Sequence, residues 1–286
     1  MILVTGATGS IGRHLVRRLR QEQVSFRALA RDEAKGRALN CEYVVGDFDD
    51  PDSIAAALVG VDRLFLNAAG AQPVWGAQPM VRQQEAAIDA AVRAGVAKVV
   101  KVSVWRARES GKLAEGAHWE IEQHLKASGV DWSILQPSGF MQNFVTGAGN
   151  FTEDGNIIGA YRDSRVSYID CADIASCAAA LLTAPRGTGE SFVLTGPEAL
   201  THTEIATKLS AALSRTVSYV DLPPEDLAAR LTAQGLPPQF AADVATLYAE
   251  VAEGALAEVT TAVSDLTGHQ PRTFDQFLAD NRHAVK

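Results

Sequence analysis

The sequence is poor in cysteine, in clustered basic residues and in long apolar runs, and each shortage removes a class of protein. Three cysteines in 286 residues, Cys41, Cys171 and Cys177, are an odd number without the spacing of a disulfide framework or a zinc site. No stretch approaches the ~20 apolar residues that cross a bilayer. The opening MILV run is broken at Thr5 and Gly6 before it can serve as a secretory signal. A reducing, cytoplasmic setting is the expectation that remains. Lys and Arg number 26 against 34 Asp and Glu, giving a net charge of −8, and the cations are scattered. Neither nucleic acid nor membrane is therefore an expected partner.

What is present is an ordinary globular mixture, 47% hydrophobic and 21% charged, long enough for one large domain or one domain with a modest lobe. The first half alternates short apolar runs with segments of helical period. ILVTG, VSFRALAR, CEYVVGDF, DRLFLNAAG, AKVVKVSV and DWSILQPS read as strands. IGRHLVRRLRQE, DDPDSIAAALVG, PMVRQQEAAIDAAVRAG and AEGAHWEIEQHLKASG read as amphipathic helices between them. This alternation predicts an α/β fold, a Rossmann-type doubly wound parallel sheet covered on both faces.

Beyond about Gly139 the rhythm loosens. RVSYID and SFVLTG read as strands, CADIASCAAALL as a buried helix, and THTEIATKLSAAL opens with a capping-box pair, Thr201 and Glu204. SYVDLPPEDLAARL and PPQFAADVATLYAEVAEG supply proline-started helices. The division expected is a dinucleotide-binding domain over 1–138 and a smaller, mainly helical substrate lobe over 139–286, with elements that return to the main sheet.

Gly6, Gly9 and Gly12 form G-x-x-G-x-x-G between a strand and a helix. Such glycines permit a tight turn, close approach of backbone to a pyrophosphate and close helix–strand packing, while the helix start offers free N–H groups, here around Ser10, Ile11 and Gly12. Thr8 and Ser10 add hydroxyl donors. Arg31 stands at the end of the second strand and Lys35 follows one turn later, a pair suited to a ribose 2′-phosphate. Asp32 is a competing signal for NAD. NADP is the expected cofactor, NADPH preferred over NADH, with no flavin and no metal. Asp47 and Phe48 are placed beside the adenine. Asn67, Ala68 and Ala69 end the fourth strand, where small side chains leave the cofactor room.

These residues resemble the NmrA-like branch of the short-chain dehydrogenase/reductase superfamily, near its NAD(P)H-dependent quinone, azo-dye and triphenylmethane-dye reductases. The marks are VTGATGSIG, GDFDDPDSIAAALVGVD, KVVKVSV, SGVDWSILQPSGFMQNF, RVSYIDCADIA and LTGPEALTHTEIATKLS. The resemblance implies that PSGFMQN helps to form the nicotinamide and substrate pocket. It assigns Ser103, Pro137 and Phe140 to the cofactor and Trp105, Trp119, Met141 and Phe144 to a small aromatic substrate. The branch also contains cofactor-binding regulators without known catalysis.

Most short-chain reductases use Tyr-x-x-x-Lys, whose lysine lowers the tyrosine pKa from about 10. In AEGAHWEIEQHLKASG the aligned positions hold Trp119 and Gln123, and neither an indole N–H nor an amide replaces its counterpart. Carbonyl–alcohol chemistry is disfavoured. Hydride transfer to an electron-poor acceptor is not, since a quinone becomes a phenolate and a cationic dye is simply neutralised. An azo bond needs a proton, from water or from His118, which begins the helix that normally carries the catalytic pair. His118 and Glu122 share a helix face, but His124 points elsewhere, so no metal site is expected. No G-x-S-x-G elbow supports a hydrolase. The leading expectation is direct hydride transfer from NADPH to a quinone, azo or triphenylmethane dye-like acceptor. The rivals are a silent NADP(H) sensor and a biosynthetic reductase of a polyketide quinone or an imine. A homodimer is carried as the assembly, although no amphipathic helix stands out as its interface.

Overall fold

Residues 1–146 and 151–281 are described by the computed structural model. The first half builds β1 (Ile2–Val4), α1 (Ser10–Gln21), β2 (Phe26–Ala30), α2 (Glu33–Ala38), β3 (Tyr43–Val45), α3 (Pro51–Ala57), β4 (Arg63–Leu66), α4 (Pro79–Arg93), β5 (Lys98–Val102), α5 (Ala114–Ala127) and β6 (Asp131–Pro137). After a 3-10 turn at Met141–Phe144 come β7 (Ile157–Gly159), β8 (Arg165–Val166), α6 (Cys171–Thr183), β9 (Glu190–Leu194), β10 (Leu200–Thr201), α7 (His202–Leu213), β11 (Tyr219–Asp221), α8 (Pro224–Ala233), α9 (Pro238–Ala252), α10 (Ala262–Thr267) and α11 (Phe274–Asp280).

Seven strands form one sheet in the order β3-β2-β1-β4-β5-β6-β9, and every pairing within it is parallel. Side chains of successive strand residues leave opposite faces, and the burial follows that rule. Ile2, Val4, Val100 and Val102 pack with α1 and α6 on one face. Leu3, Leu64, Leu66 and Val99 pack with α3, α4 and α5 on the other. The strand order reverses between β1 and β4, which opens the crevice where doubly wound sheets bind their ligands.

The remaining elements build a lobe with two small cores. Phe144, Tyr168, Ile205, Leu209, Phe274 and Phe277 fill one; Ile158, Leu227, Leu231, Ala241 and Ala245 fill the other, under α8 and α9. The capping box that opens α7 is complete, with Thr201 Oγ1 accepting from Glu204 N and Glu204 Oε2 accepting from Thr201 N. SFVLTG, read from sequence as a strand, is β9 and extends the main sheet beyond β6.

RDEAK, which follows the second strand, begins α2, because the Asp32 side chain accepts from Lys35 N and caps it. One local reading is corrected. RVSYID, read as one strand, pairs as a strand only at Arg165–Val166. Beyond that its backbone is bound from two directions: Ser167 N donates to Leu256 O, and Ile169 N donates to Gly139 O while Ile169 O accepts from Met141 N.

Candidate active site

The glycine turn is built as its spacing requires. Gly6 has φ +60°, and a Cβ there would lie 2.7 Å from Asn67 O, so the turn must sit this close to the end of β4. Thr5 fixes that distance. Its hydroxyl lies 2.9 Å from both Phe65 O and Asn67 O and accepts from Asn67 N at 2.8 Å. A Cβ on Gly12 would lie 2.1 Å from Gly6 O, so only glycine lets α1 start against the turn. Gly9 caps α1 without a side-chain bond. The N–H groups of Ser10, Ile11 and Gly12 therefore begin a helix with no intrahelical partner, and the helix dipole adds positive potential there. Ile11 itself is buried in the core, and Ser10 is exposed beside the crevice.

Thr8, Arg13, Arg17, Arg20 and Lys35 line a surface cavity of about 470 Å³. Arg31 is exposed at the end of β2. Asp32 is engaged twice, capping α2 and pairing with the Lys35 ammonium at 3.0 Å. Its carboxyl is held below the usual carboxylate range by the bonds from Lys35. Arg13 and Arg17 were not singled out in the sequence, although their spacing of four residues on α1 puts both on one face. Asp47 Oδ1 accepts from Asp49 N at 3.0 Å in a tight turn, and Ser53 Oγ holds the Asp47 backbone. Phe48 is half-buried against the core under α3 and α4. Asn67 and Ala68 are half-buried and Ala69 is exposed just past β4.

Across the crevice, β5, α5 and β6 enclose a buried polar cluster. Lys101, wholly buried on β5, places Nζ 2.7 Å from His118 Nδ1 and donates to Val102 O at 3.1 Å. Ser103 Oγ donates to Glu122 Oε1 at 2.5 Å, so that hydroxyl proton is engaged with α5. Gln136 Nε2 and Lys126 Nζ donate to the same carboxylate at 2.9 and 3.2 Å. Burial pushes Lys101 down to about 7, against the pull of Glu122. Burial, with the Lys101 charge, holds His118 well below the ordinary histidine range. Lys101 escaped sequence reading because KVVKVSV looks like a strand that needs no charge, and Gln136 because it falls in another apolar strand; Glu122 was weighed only for a metal site.

The residues assigned through PSGFMQN fall into two sets. Pro137 is buried at the end of β6, its carbonyl accepting from Trp105 N at 3.0 Å, and Phe140 follows, half-buried, bridging to Ile169. Trp105 and Trp119 are half-buried on the α5 side. Met141 and Phe144 turn away into the lobe: Met141 is 1% exposed, and Phe144 meets the Tyr168 and Phe274 rings edge-on.

A second cavity of about 210 Å³ lies between Val74–Gln78, the start of α5 and the start of α9, lined by Leu113, Gly116, Phe240 and Asp243 among others. Ion pairs hold α9 over it. Arg106 and Arg108 reach Glu250 at 2.7 and 2.6 Å, and Lys112 reaches Asp243 at 3.4 Å. The strap that carries these cations has left-handed backbone at Arg106, Ser110 and Leu113, a conformation that side chains tolerate only under constraint. Glu250→Gln is expected to raise amide exchange in α8 and α9 about fivefold, matching ~1 kcal/mol for a partly exposed pair, and to leave the main sheet protected. High salt acting on the wild type should do the same.

Comparison with known proteins agrees with this geometry. Residues 1–278 match the model of the NmrA-like family. An NAD(P)H azoreductase of Xenophilus azovorans is 37% identical over 282 residues, covering 97% of this chain and 96% of its own. The structure of an NADPH-dependent quinone oxidoreductase of Escherichia coli in complex with NADPH superposes with a TM-score of 0.84 at 29% identity, covering 98% of this chain and 99% of its own. A Citrobacter triphenylmethane reductase shares the fold, with a TM-score of 0.82 at 23% identity over 99% of both chains. Among the described residues no helix is long and apolar enough to cross a membrane, and no group of three His, Cys, Asp or Glu is placed to hold a metal ion.

Proposed function

The chain belongs to the NmrA-like family and is an oxidoreductase, and we propose that it passes hydride directly from NADPH to a flat, electron-poor acceptor of the quinone, azo or triphenylmethane-dye class. The observation that carries this reading is the pairing of a glycine turn cut for a dinucleotide with a polar cluster, built around His118, in which no tyrosine takes part. The turn fits the cofactor in kind: glycine alone brings it against Asn67 O and lets α1 start against Gly6 O, and the first N–H groups of α1 lack intrahelical partners. NADPH, when bound, supplies the hydride. The chain supplies placement. The start of α1 holds the pyrophosphate, and Arg31, Lys35 and Arg13 receive the 2′-phosphate. Asp47 and Phe48 flank the adenine, Asn67 to Ala69 leave room beside β4, and Pro137 and Phe140 border the nicotinamide. Trp105 and Trp119 offer flat apolar faces to an aromatic acceptor. Stacking the acceptor on the cofactor ring does most of the catalytic work through orientation.

Asp32 supports NADP over NAD, because a carboxylate spent on a helix cap and on Lys35 is not free to bind two ribose hydroxyls. Arg31→Ala with Lys35→Ala should lower the NADPH-over-NADH preference by ~10- to 100-fold, the value of one or two charge-assisted bonds at about 1.5–3 kcal/mol. Titration of both nucleotides checks it, and an unchanged ratio refutes the assignment. The reading as a whole is tested by following NADPH oxidation without oxygen against quinones, azo dyes and triphenylmethane dyes. Tight NADPH binding without turnover of any of them would sink it.

A further inference from the structure

We infer that Lys101 is a positioning residue that holds His118 as a neutral Nε2–H donor and refills its proton, so that the site serves acceptors needing a proton as well as a hydride. The inference rests on the reductase reading above and adds to it the missing acid.

Lysine is a costly residue for this place. It lies in a central strand on the same face as Val99, the face that α5 covers with Ile121 and Leu125, and none of it is exposed. An apolar side chain of similar length would fill that space without the cost of removing an ammonium from water. No carboxylate comes within ion-pair distance of Nζ among the described residues; its partners are Val102 O and His118 Nδ1. An ammonium only donates, so Nδ1 must accept, and the ring proton is then forced onto Nε2. Nε2 has no partner among the described residues, and His118 keeps 7% of its surface exposed. The charged groups around the pair are few. Glu122 acts on Lys101 from α5, and its own charge is shared by Lys126, Ser103 Oγ and Gln136 Nε2.

The proton balance is simple. The reduced acceptor carries a new lone pair on oxygen or nitrogen. The Nε2–H bond breaks as an O–H or N–H bond forms on the acceptor, and an Nζ–H bond breaks as an Nδ1–H bond forms. His118 stays neutral throughout, and Lys101 ends as the amine. Water returns the proton by the same route in reverse. No electrons move beyond those of the hydride. A cationic triphenylmethane dye, neutralised by hydride alone, does not use the relay.

Two measurements test this. The first is the ratio of azo-dye to cationic-dye turnover in Lys101→Met, which is expected to fall at least tenfold; in the wild type the azo rate should decline as pH rises through about 7, and in the variant that limb should vanish. An unchanged ratio overturns the inference, whether both rates fall together or neither moves. The second needs no turnover: nitrogen NMR of the wild-type histidines should show His118 as the Nε2–H tautomer below pH 6.5 and a change in its Nδ1 signal as Lys101 deprotonates. An imidazolium, or the Nδ1–H tautomer at low pH, overturns it even if Lys101→Met fails to fold. Absence of turnover on every acceptor with the expected tautomer present would instead refute the reductase reading. Lys101→Met should also be the more stable protein at neutral pH. The folded lysine titrates below its unfolded value of 10.5, so wild-type stability rises between about 7 and that value, and the variant loses this slope.

Discussion

Gly12→Ala abolishes dinucleotide binding: the expected dissociation constant for NADPH rises more than ~100-fold, and the fold loses about 3 kcal/mol, the upper end for overpacking a tight contact. The added methyl would meet Gly6 O at 2.1 Å, with Ala7 Cα at 2.7 Å. Those are backbone atoms of the turn itself, so no side chain can rotate to make room. Either α1 slides outward or the turn opens, and each displaces the N–H groups of Ser10 to Gly12 from the pyrophosphate. Gly9→Ala is the informative control. Its Cβ would stand 3.3 Å from Gly6 O, and its φ of −79° suits any residue, so its loss should be much smaller. Calorimetric titration and thermal unfolding of the two variants decide the matter, and wild-type affinity in Gly12→Ala would mean that α1 does not pack as described.

The second large effect is expected where the chain enters α6. Asp170→Ala should destabilise the protein by about 2–4 kcal/mol, because it removes the cap of α6 and leaves the buried Gln142 amide without its acceptor. Asp170 is 2% exposed. Its Oδ1 accepts from Gln142 Nε2 at 2.7 Å and from Ala172 N at 2.9 Å, capping α6, while Oδ2 lies 3.1 Å from Arg272 Nε. One carboxylate thus ties the turn after β6, the start of α6 and the segment before α11. Gln142 completes the tie by accepting from Cys171 N at 3.1 Å. Asp170→Asn keeps an acceptor for the cap and loses only the ion pair, so its cost should be well below that of alanine. Urea unfolding measures both; equal losses would show that the ion pair, and not the cap, carries the effect.

The sheet was legible because its signals are local. Six strands and the helices between them announce themselves by apolar period and glycine stops, and the turn at Gly6, Gly9 and Gly12 by its spacing. SFVLTG was recognisable as a strand, but nothing in those residues says that its partner is β6, since parallel pairing across a long crossover leaves no short-range mark. The candidate site was half legible. Its glycine turn lies in one contiguous motif, whereas its polar cluster is assembled from Lys101 on β5, His118 and Glu122 on α5 and Gln136 on β6. Lys101 and Gln136 look like interruptions of apolar strands, and only the packing of α5 over both reveals them as partners. Glu122 was weighed for a metal site and set aside, because nothing in the sequence places Ser103 beside it. The inward turn of Met141 and Phe144 was hidden for a similar reason: it depends on Tyr168 and Phe274, both distant in sequence.

The chain leaves the sheet after β6, returns for α6 and β9, leaves again for β10 to α9, and comes back once more for α10, which packs against α6 and β9 before α11 joins the lobe. Mechanically, the lobe is a plate held by several straps. A single linker would allow it to swivel and drift, whereas straps in parallel restrain one another, so the range of any motion against the sheet is set by the tautest strap rather than by the average of them.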